Sequence, residues 1–415
     1  MKISKLPDIK PQSPIVSFDR DAFKKCTDEF TITEVAPVLG MNPSFIRKAT
    51  GKKKNIDASD LLSLLDQDVF AETFVPRSRI LSYLTQPSKP VVDELSITTP
   101  WILMQGNALD LIPRLPSNSI RCVVTSTPYW ALRIYKESHF VSWADGECCP
   151  YGHEQTPEGF LRHTAEILFH LSRVLKDDGS IWWNIMDSYN TRTQIRGNAA
   201  EALRAMQGKD RKSWNDHECR RYSSGHVFLK DGEQCLIPSR IAERASRMGY
   251  FVKTSITWAK TSSLPEPQNS RVSRNLEYVL HLTKQRTPRF DKSVYRQLPP
   301  QLGGRNNGNE TDKLSDVWTL PTSSGRDGHG AQFPIALPAR CISLTTTGDD
   351  LVLDPFVGSG NAGVAALALG RRFIGFDVSR TYLELAKKRI QSASYEQPIM
   401  LNTHNHEPTK QEPPL

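Results

Sequence analysis

The stretch LVLDPFVGSGNAGVAALALGRRFIGFDVS, residues 351–379, decides the fold. A short apolar run ends in an acid, and Gly358, Gly360 and Gly363 then follow as G-x-G-x-x-G at the mouth of a helical pattern. Glycines there let the backbone approach a ligand closely, and the helix start presents free N–H groups. A second apolar run closes on Asp377, where a carboxylate can accept hydrogen bonds from ribose hydroxyls. Strand, glycine turn, helix and acid together read as a nucleoside-binding βαβ unit rather than as a plain tight turn with a packed helix.

A dinucleotide dehydrogenase uses the same glycines, so the residues in front of the loop discriminate. Asp354, Pro355 and Phe356 put an acid and an aromatic where a cofactor's amino-acid portion would lie, in place of a pyrophosphate cradle. A cationic methionine moiety wants a carboxylate and an apolar wall, which favours S-adenosyl-L-methionine. Outward from this unit, short apolar runs at 101–106, 121–126, 180–185, 251–258, 276–283, 350–356 and 372–377 read as strands. Residues 157–176 and the segments after each glycine-loop strand carry helical periodicity. Strands alternating with helices imply an α/β, mainly parallel, doubly wound, Rossmann-like sheet.

The chain's 415 residues exceed one average domain, and 38% hydrophobic with 24% charged residues excludes a wholly disordered chain. The N-terminus lacks the apolar core of a signal peptide, and no apolar run is long enough for a membrane span, so a cytoplasmic protein without a membrane partner is expected. Seven scattered cysteines, an odd number, suggest reduced thiols. A formal charge of +8 points weakly to a polyanionic partner.

A second loop, Thr125-Ser126-Thr127-Pro128-Tyr129-Trp130, follows the strand RCVV. A serine hydroxyl and the carbonyl before a proline offer acceptors for a planar exocyclic amine, and the aromatics offer a stacking surface. A base in a duplex reaches such a loop only when flipped out. A strand-to-helix turn with buried Tyr and Trp has the same composition.

TSTPYW resembles the T-S-P-P-Y-W motif of amino-group DNA methyltransferases, and LDPFVGSGNAG their D-P-F-x-G-S-G-T-T-G cofactor loop. The resemblance extends through 152–190, 256–284, DVWTLP, FPIALPARCI and 369–390, with the motif order of the permuted β group. It implies a site-specific enzyme that moves a methyl group from S-adenosyl-L-methionine to N4 of cytosine or N6 of adenine in double-stranded DNA, with base flipping. It also implies the modification half of a restriction–modification system, with the cognate restriction endonuclease a separate chain. Carried over by residue, Ser126 and the Thr127 carbonyl, ahead of Pro128, would hold the target amine, and Tyr129 would stack on the base. Asp354, Phe356, Gly358, Ser359 and Gly360 would line the methionine end of the cofactor, and Asp377 would hold its ribose. Phe333 and Pro334 would flank its carboxylate side, and Asn107 would meet the adenosine. Thr127 replaces the motif's first proline, Asn361 and Ala362 replace two threonines, and Asn107 replaces an aspartate. Serine at 126 favours cytosine N4, with adenine N6 as the alternative. A C5 enzyme would need a Pro-Cys nucleophile, and Cys149-Pro150 has the reverse order, while Cys341 lies in PARCI.

The expected layout is an N-terminal helical extension (1–83), a linker (84–100), the methyltransferase domain (101–392) and a flexible tail (393–415). Within the domain, a basic insertion at 190–230 and a candidate target-recognition region at 285–316 are expected to meet DNA. Cys148, Cys149 and His153 in CCPYGH lack a second ligand pair, so no metal is expected there. The N-terminal TITEVAPVLGMNPSFIRKATGKKKN reads as a helix to Leu39, a turn, and a second helix from Ser44, either a helix-turn-helix or a small helical accessory domain. A DNA-binding transcriptional regulator on a degenerate methylase fold is the reading of another class.

Overall fold

The computed structural model describes residues 17–87, 95–130, 139–190, 228–230, 232–261, 269–322, 333–394 and 398–399. The basic insertion and the tail therefore lie almost wholly outside the described residues, as does the middle of the expected linker. Eight strands form the main sheet: β1 Trp101–Gln105, β2 Ile120–Ser126, β3 Leu175–Ile185, β4 Phe251–Lys260, β5 Leu276–Thr283, β6 Val317–Leu320, β7 Leu351–Asp354 and β8 Arg372–Asp377. Their order is β6-β4-β5-β3-β2-β7-β8-β1. Neighbours pair in parallel except at β5, which runs antiparallel to both β3 and β4.

Helices cover both faces, as the doubly wound reading requires. Pro157–Val174 and Ile237–Arg247 bury one apolar face with Trp183, Ile181 and Leu353, while Ala336–Thr345, Asn361–Ala368 and Arg380–Ser394 cover the other, with Val124, Val352 and Phe373. The central strands are buried on both sides, which explains their continuous apolar runs. Two elements are additions to the sequence reading. The strand β6 has four residues, too few for a periodicity, and the helix Ile237–Arg247 buries only Ile237, Pro238, Ile241 and Ala245 against a charged remainder.

The expected linker is shorter than its sequence suggests. Leu95 N–H donates to Arg114 O (2.9 Å) and Phe373 N–H to Pro100 O (2.9 Å), so the chain is already tied to the domain by residue 95. Residues 17–87 have a core of their own around Val35, Leu39, Ile46, Ile56, Leu61 and Phe74, to which Ala165 of the catalytic domain contributes. Pro37 lies inside the helix Ile32–Leu39, and the buried hydroxyl of Thr73 donates to the carbonyls of Pro37 (3.1 Å) and Val38 (3.0 Å) at the helix end. Among the described residues, no helix is long and apolar enough to cross a membrane.

Candidate active site

The parallel strands deliver their C-terminal ends to one edge, where open α/β sheets bind ligands. A cleft of about 960 Å³, its open mouth included, lies there. One end is lined by Asn107, Asp377, Ser379 and Tyr382, the other by Ser126, Thr127 and Pro128, with Phe356, Tyr151 and Trp143 between. Asp377 accepts the Gly358 N–H on Oδ2 and the Ser379 N–H on Oδ1, both at 2.9 Å. A carboxylate placed there is the acceptor type that a ribose hydroxyl needs. Asn107 caps the short helix behind it, its Oδ1 accepting the Asp110 N–H (3.0 Å). The Phe356 ring stacks on Tyr151 (5.3 Å) and meets Trp183 edge-on (6.3 Å), giving the apolar wall that a sulfonium requires. This donor and wall set fits S-adenosyl-L-methionine.

The glycines of the loop have separate tasks. Gly360 adopts φ +87°, and a Cβ there would stand 3.0 Å from Ala386. Gly363 packs its helix tightly on Ile390 and Phe373. Asn361, at one of the family's threonine positions, donates to Phe333 O (2.6 Å) and accepts from Arg389, whose guanidinium also donates to Ser359 O (3.0 Å). Among the described residues, Ser359, Gly360, Phe333 and Pro334 thus stand behind the cleft and are not part of its lining.

Asp354 also stands behind it, only 1% exposed. Its Oδ1 accepts from the Thr125 hydroxyl (2.6 Å) and the Phe356 N–H (3.0 Å). The residue therefore fastens the end of β2 to the cofactor loop. Burial pushes its carboxyl up to about 7, against the lowering effect of those two donors.

On the catalytic loop, Ser126 Oγ lies 3.2 Å from the Tyr129 hydroxyl, which donates to Glu277. Asn184 Nδ2 lies within hydrogen-bond distance of Ser126 Oγ (3.2 Å), the Tyr129 hydroxyl (2.8 Å) and Glu277 Oε2 (2.8 Å). Lys260 Nζ pairs with Glu277 Oε1 at 3.3 Å. Sequence reasoning missed Asn184, Glu277 and Lys260. The available signal was a polar residue at the active edge of otherwise apolar strands, SIWWNI and LEYVLHLT. Trp130 is fully buried, its indole donating to Glu154 O (2.9 Å), and Gly152 at φ +89° lets Pro128 approach, since a Cβ there would sit 3.0 Å from Pro128 Cβ.

Beside the cleft, Trp143 stacks on His163 at 4.0 Å. His163 is held by Glu154 on Nδ1 (2.9 Å) and Asp145 on Nε2 (3.3 Å). Burial pulls the imidazole down, but those two carboxylates outweigh it and hold it up at about 9. Glu147, Cys149 and His163 do bring ligand atoms together, yet an imidazolium already bonded on both nitrogens is not a metal ligand. Cys148 is exposed and His153 lines the cleft, so CCPYGH does not converge on one ion. Burial pushes the thiols of Cys149 and Cys341 far up, the opposite of what a C5 nucleophile needs. None of the six described cysteines forms a disulfide.

Comparison with known proteins places the chain in a family. A family model described as DNA methylase matches residues 120–388. The chain is 32% identical over 289 residues to the type II methyltransferase M.Cfr9I of Citrobacter freundii, covering 70% of this chain and 87% of that one. It is 33% identical over 294 residues to M.XycI of Xanthomonas campestris pv. cyanopsidis, with the same coverage. Among solved structures, the PvuII DNA methyltransferase (cytosine-N4-specific) is 19% identical with a TM-score of 0.47, covering 74% of this chain and 97% of that one.

Proposed function

The chain belongs to the DNA methylase family, as an amino-methyltransferase of restriction–modification type that uses S-adenosyl-L-methionine, and from that premise we propose that its target is N4 of cytosine in double-stranded DNA. The observation that carries the reading is the Ser126 hydroxyl at the inner end of the cleft, supported by Asn184 and Tyr129. A hydroxyl can accept from an exocyclic amine and donate to a neighbouring ring acceptor, a pattern shared by the N4–N3 edge of cytosine and the N6–N1 edge of adenine. The choice of cytosine therefore rests on serine standing at 126, where similar adenine enzymes more commonly have aspartate or asparagine.

In this reading Ser126 Oγ and the Thr127 carbonyl hold the amine hydrogens and aim the nitrogen lone pair along the cleft. The cofactor, when bound, supplies a methyl group on a sulfonium. When the amine takes that methyl a neutral thioether is left, and the amine's surplus proton would pass to water at the open mouth of the cleft. Tyr129 stacks on the extrahelical base, its ring set by the hydroxyl's bond to Glu277. Asp377 orients the ribose, and Phe356 with Tyr151 excludes water from the transfer path. Methyl transfer to an exocyclic amine thus needs no covalent attachment of the base to the enzyme; the contribution of the chain is positioning. Segment 285–316 is the proposed DNA-facing region, and a separate endonuclease chain the proposed functional partner. The buried Arg340, which donates to Gly303 O (2.6 Å), Gly304 O (2.9 Å) and Glu310 (2.7 Å), holds that segment to the domain.

Mass spectrometry of nucleosides from duplex DNA methylated in vitro tests the proposal. N4-methylcytosine is the expected product, and N6-methyladenine alone would overturn the cytosine assignment while leaving the family reaction intact.

A further inference from the structure

We propose that residues 17–87 carry a second duplex-DNA contact, a helix-turn-helix whose second helix, Pro43–Ala49, with the basic loop after it, grips DNA independently of the catalytic cleft. The family match begins at residue 120, so this unit lies outside the part that performs transfer. Its first helix, Ile32–Leu39, is mostly buried and ends on Gly40 in the left-handed region (φ +63°). Asn42 then caps the next helix, accepting the Ser44 N–H at 2.8 Å, and Pro43 opens it. A three-residue turn containing glycine is the connection that helix-turn-helix units use.

The second helix is built to face outward. Ile46 alone is buried, while Ser44, Phe45, Arg47, Lys48 and Ala49 are exposed. Gly51-Lys52-Lys53-Lys54 follows as a loop fixed between this helix and a two-stranded ladder, Glu29–Thr31 with Asn55–Asp57. Lys53 pairs with Asp60 (2.6 Å), but Arg47, Lys48, Lys52 and Lys54 make no ion pair among the described residues. Four unneutralised cations on one outward-facing helix and its loop complement a phosphate backbone. Ser44 and Phe45 occupy the first turn, the part of such a helix that meets base edges, and Phe45, 36% exposed, offers an apolar face to a thymine methyl.

The unit is also fastened to the enzyme, so its grip would be passed on to the catalytic domain. Phe74 stacks on Phe169 (4.8 Å), Arg244 donates to Thr73 O (2.8 Å), and Arg79 donates to Ala144 O (3.2 Å).

The test uses the full chain carrying Arg47→Ala, Lys48→Ala, Lys52→Ala and Lys54→Ala. Binding to a labelled mixed-sequence duplex several turns long is measured by anisotropy across a salt series. Loss of four phosphate contacts is expected to reduce the slope of log affinity against log salt by about 3 to 4, and affinity at physiological salt by roughly tenfold or more. Methyl transfer at saturating duplex should keep its kcat, since none of the four lines the cleft. The pair Lys52→Ala and Lys54→Ala, outside any helix, should give about half the change in slope, which guards against a folding defect in the fourfold variant. Unchanged slopes in both variants would overturn this inference while leaving the catalytic proposal untouched; loss of transfer at saturating duplex would count against the independence of the two contacts.

Discussion

Asp354 is legible by type, and the fold adds a structural task to it. Its place in D-P-F before the glycines marks the cofactor loop, yet the carboxylate turns inward and bonds to Thr125 and the Phe356 N–H. The sign of its pH dependence follows from burial. Between the ordinary value of 3.8 and about 7, the folded protein holds a proton that the unfolded chain has released. Stability from this group is therefore lost as pH rises across that window, on the order of 4 kcal/mol in all, and levels off above it. Asp354→Asn keeps an acceptor for both donors and cannot ionise. Its thermal midpoint should vary less than the wild type's between pH 5 and 8, with the variant relatively more stable at pH 8, as followed by calorimetry. A variant that tracks the wild type at both pH values would show that Asp354 is not the titrating group.

Among the elements, the glycine-loop helix Asn361–Ala368 was readable because composition and conformation agree there. Gly363 is the test of that agreement, since a Cβ would meet Ile390 Cδ1 at 2.4 Å and Phe373 Cε1 at 2.8 Å. Gly363→Ala is expected to cost about 1–3 kcal/mol and to lower the denaturation midpoint. A midpoint equal to the wild type's would mean that the helix can shift freely. Elements whose signal is tertiary were not readable: β6 is recruited by pairing with Thr257–Lys260, and Ile237–Arg247 by a stripe of three apolar residues at four-residue spacing. Asn184 and Glu277 illustrate the same limit in the site. Each lies in an apolar strand, far from the catalytic loop in sequence, and only the strand order places it against Tyr129.

At the scale of the whole molecule, the N-terminal unit and the catalytic domain share a packed and hydrogen-bonded boundary through Phe74, Arg244 and Arg79. One cooperative melting transition is expected, and cofactor at a hundredfold excess over its Kd should raise its stability by about 2.7 kcal/mol. Two separated transitions, with only one responding to cofactor, would show that the boundary does not couple the parts. The charge of +8 foreshadowed a polyanion, but its location depended on which side chains remain without acidic neighbours, a property of the fold and not of composition.

The edge strand β1 has a single sheet neighbour, β8, which is made near the other end of the chain. Asn107 follows β1 and Asp377 ends β8, so this end of the cleft is stitched from the main sheet's first and last strands in chain order. At ordinary rates of synthesis β1 waits on the order of tens of seconds for its partner. A nascent chain therefore cannot complete this end of the cleft until β8 has emerged, and a message truncated before β8 yields a protein in which β1 has lost its sheet neighbour.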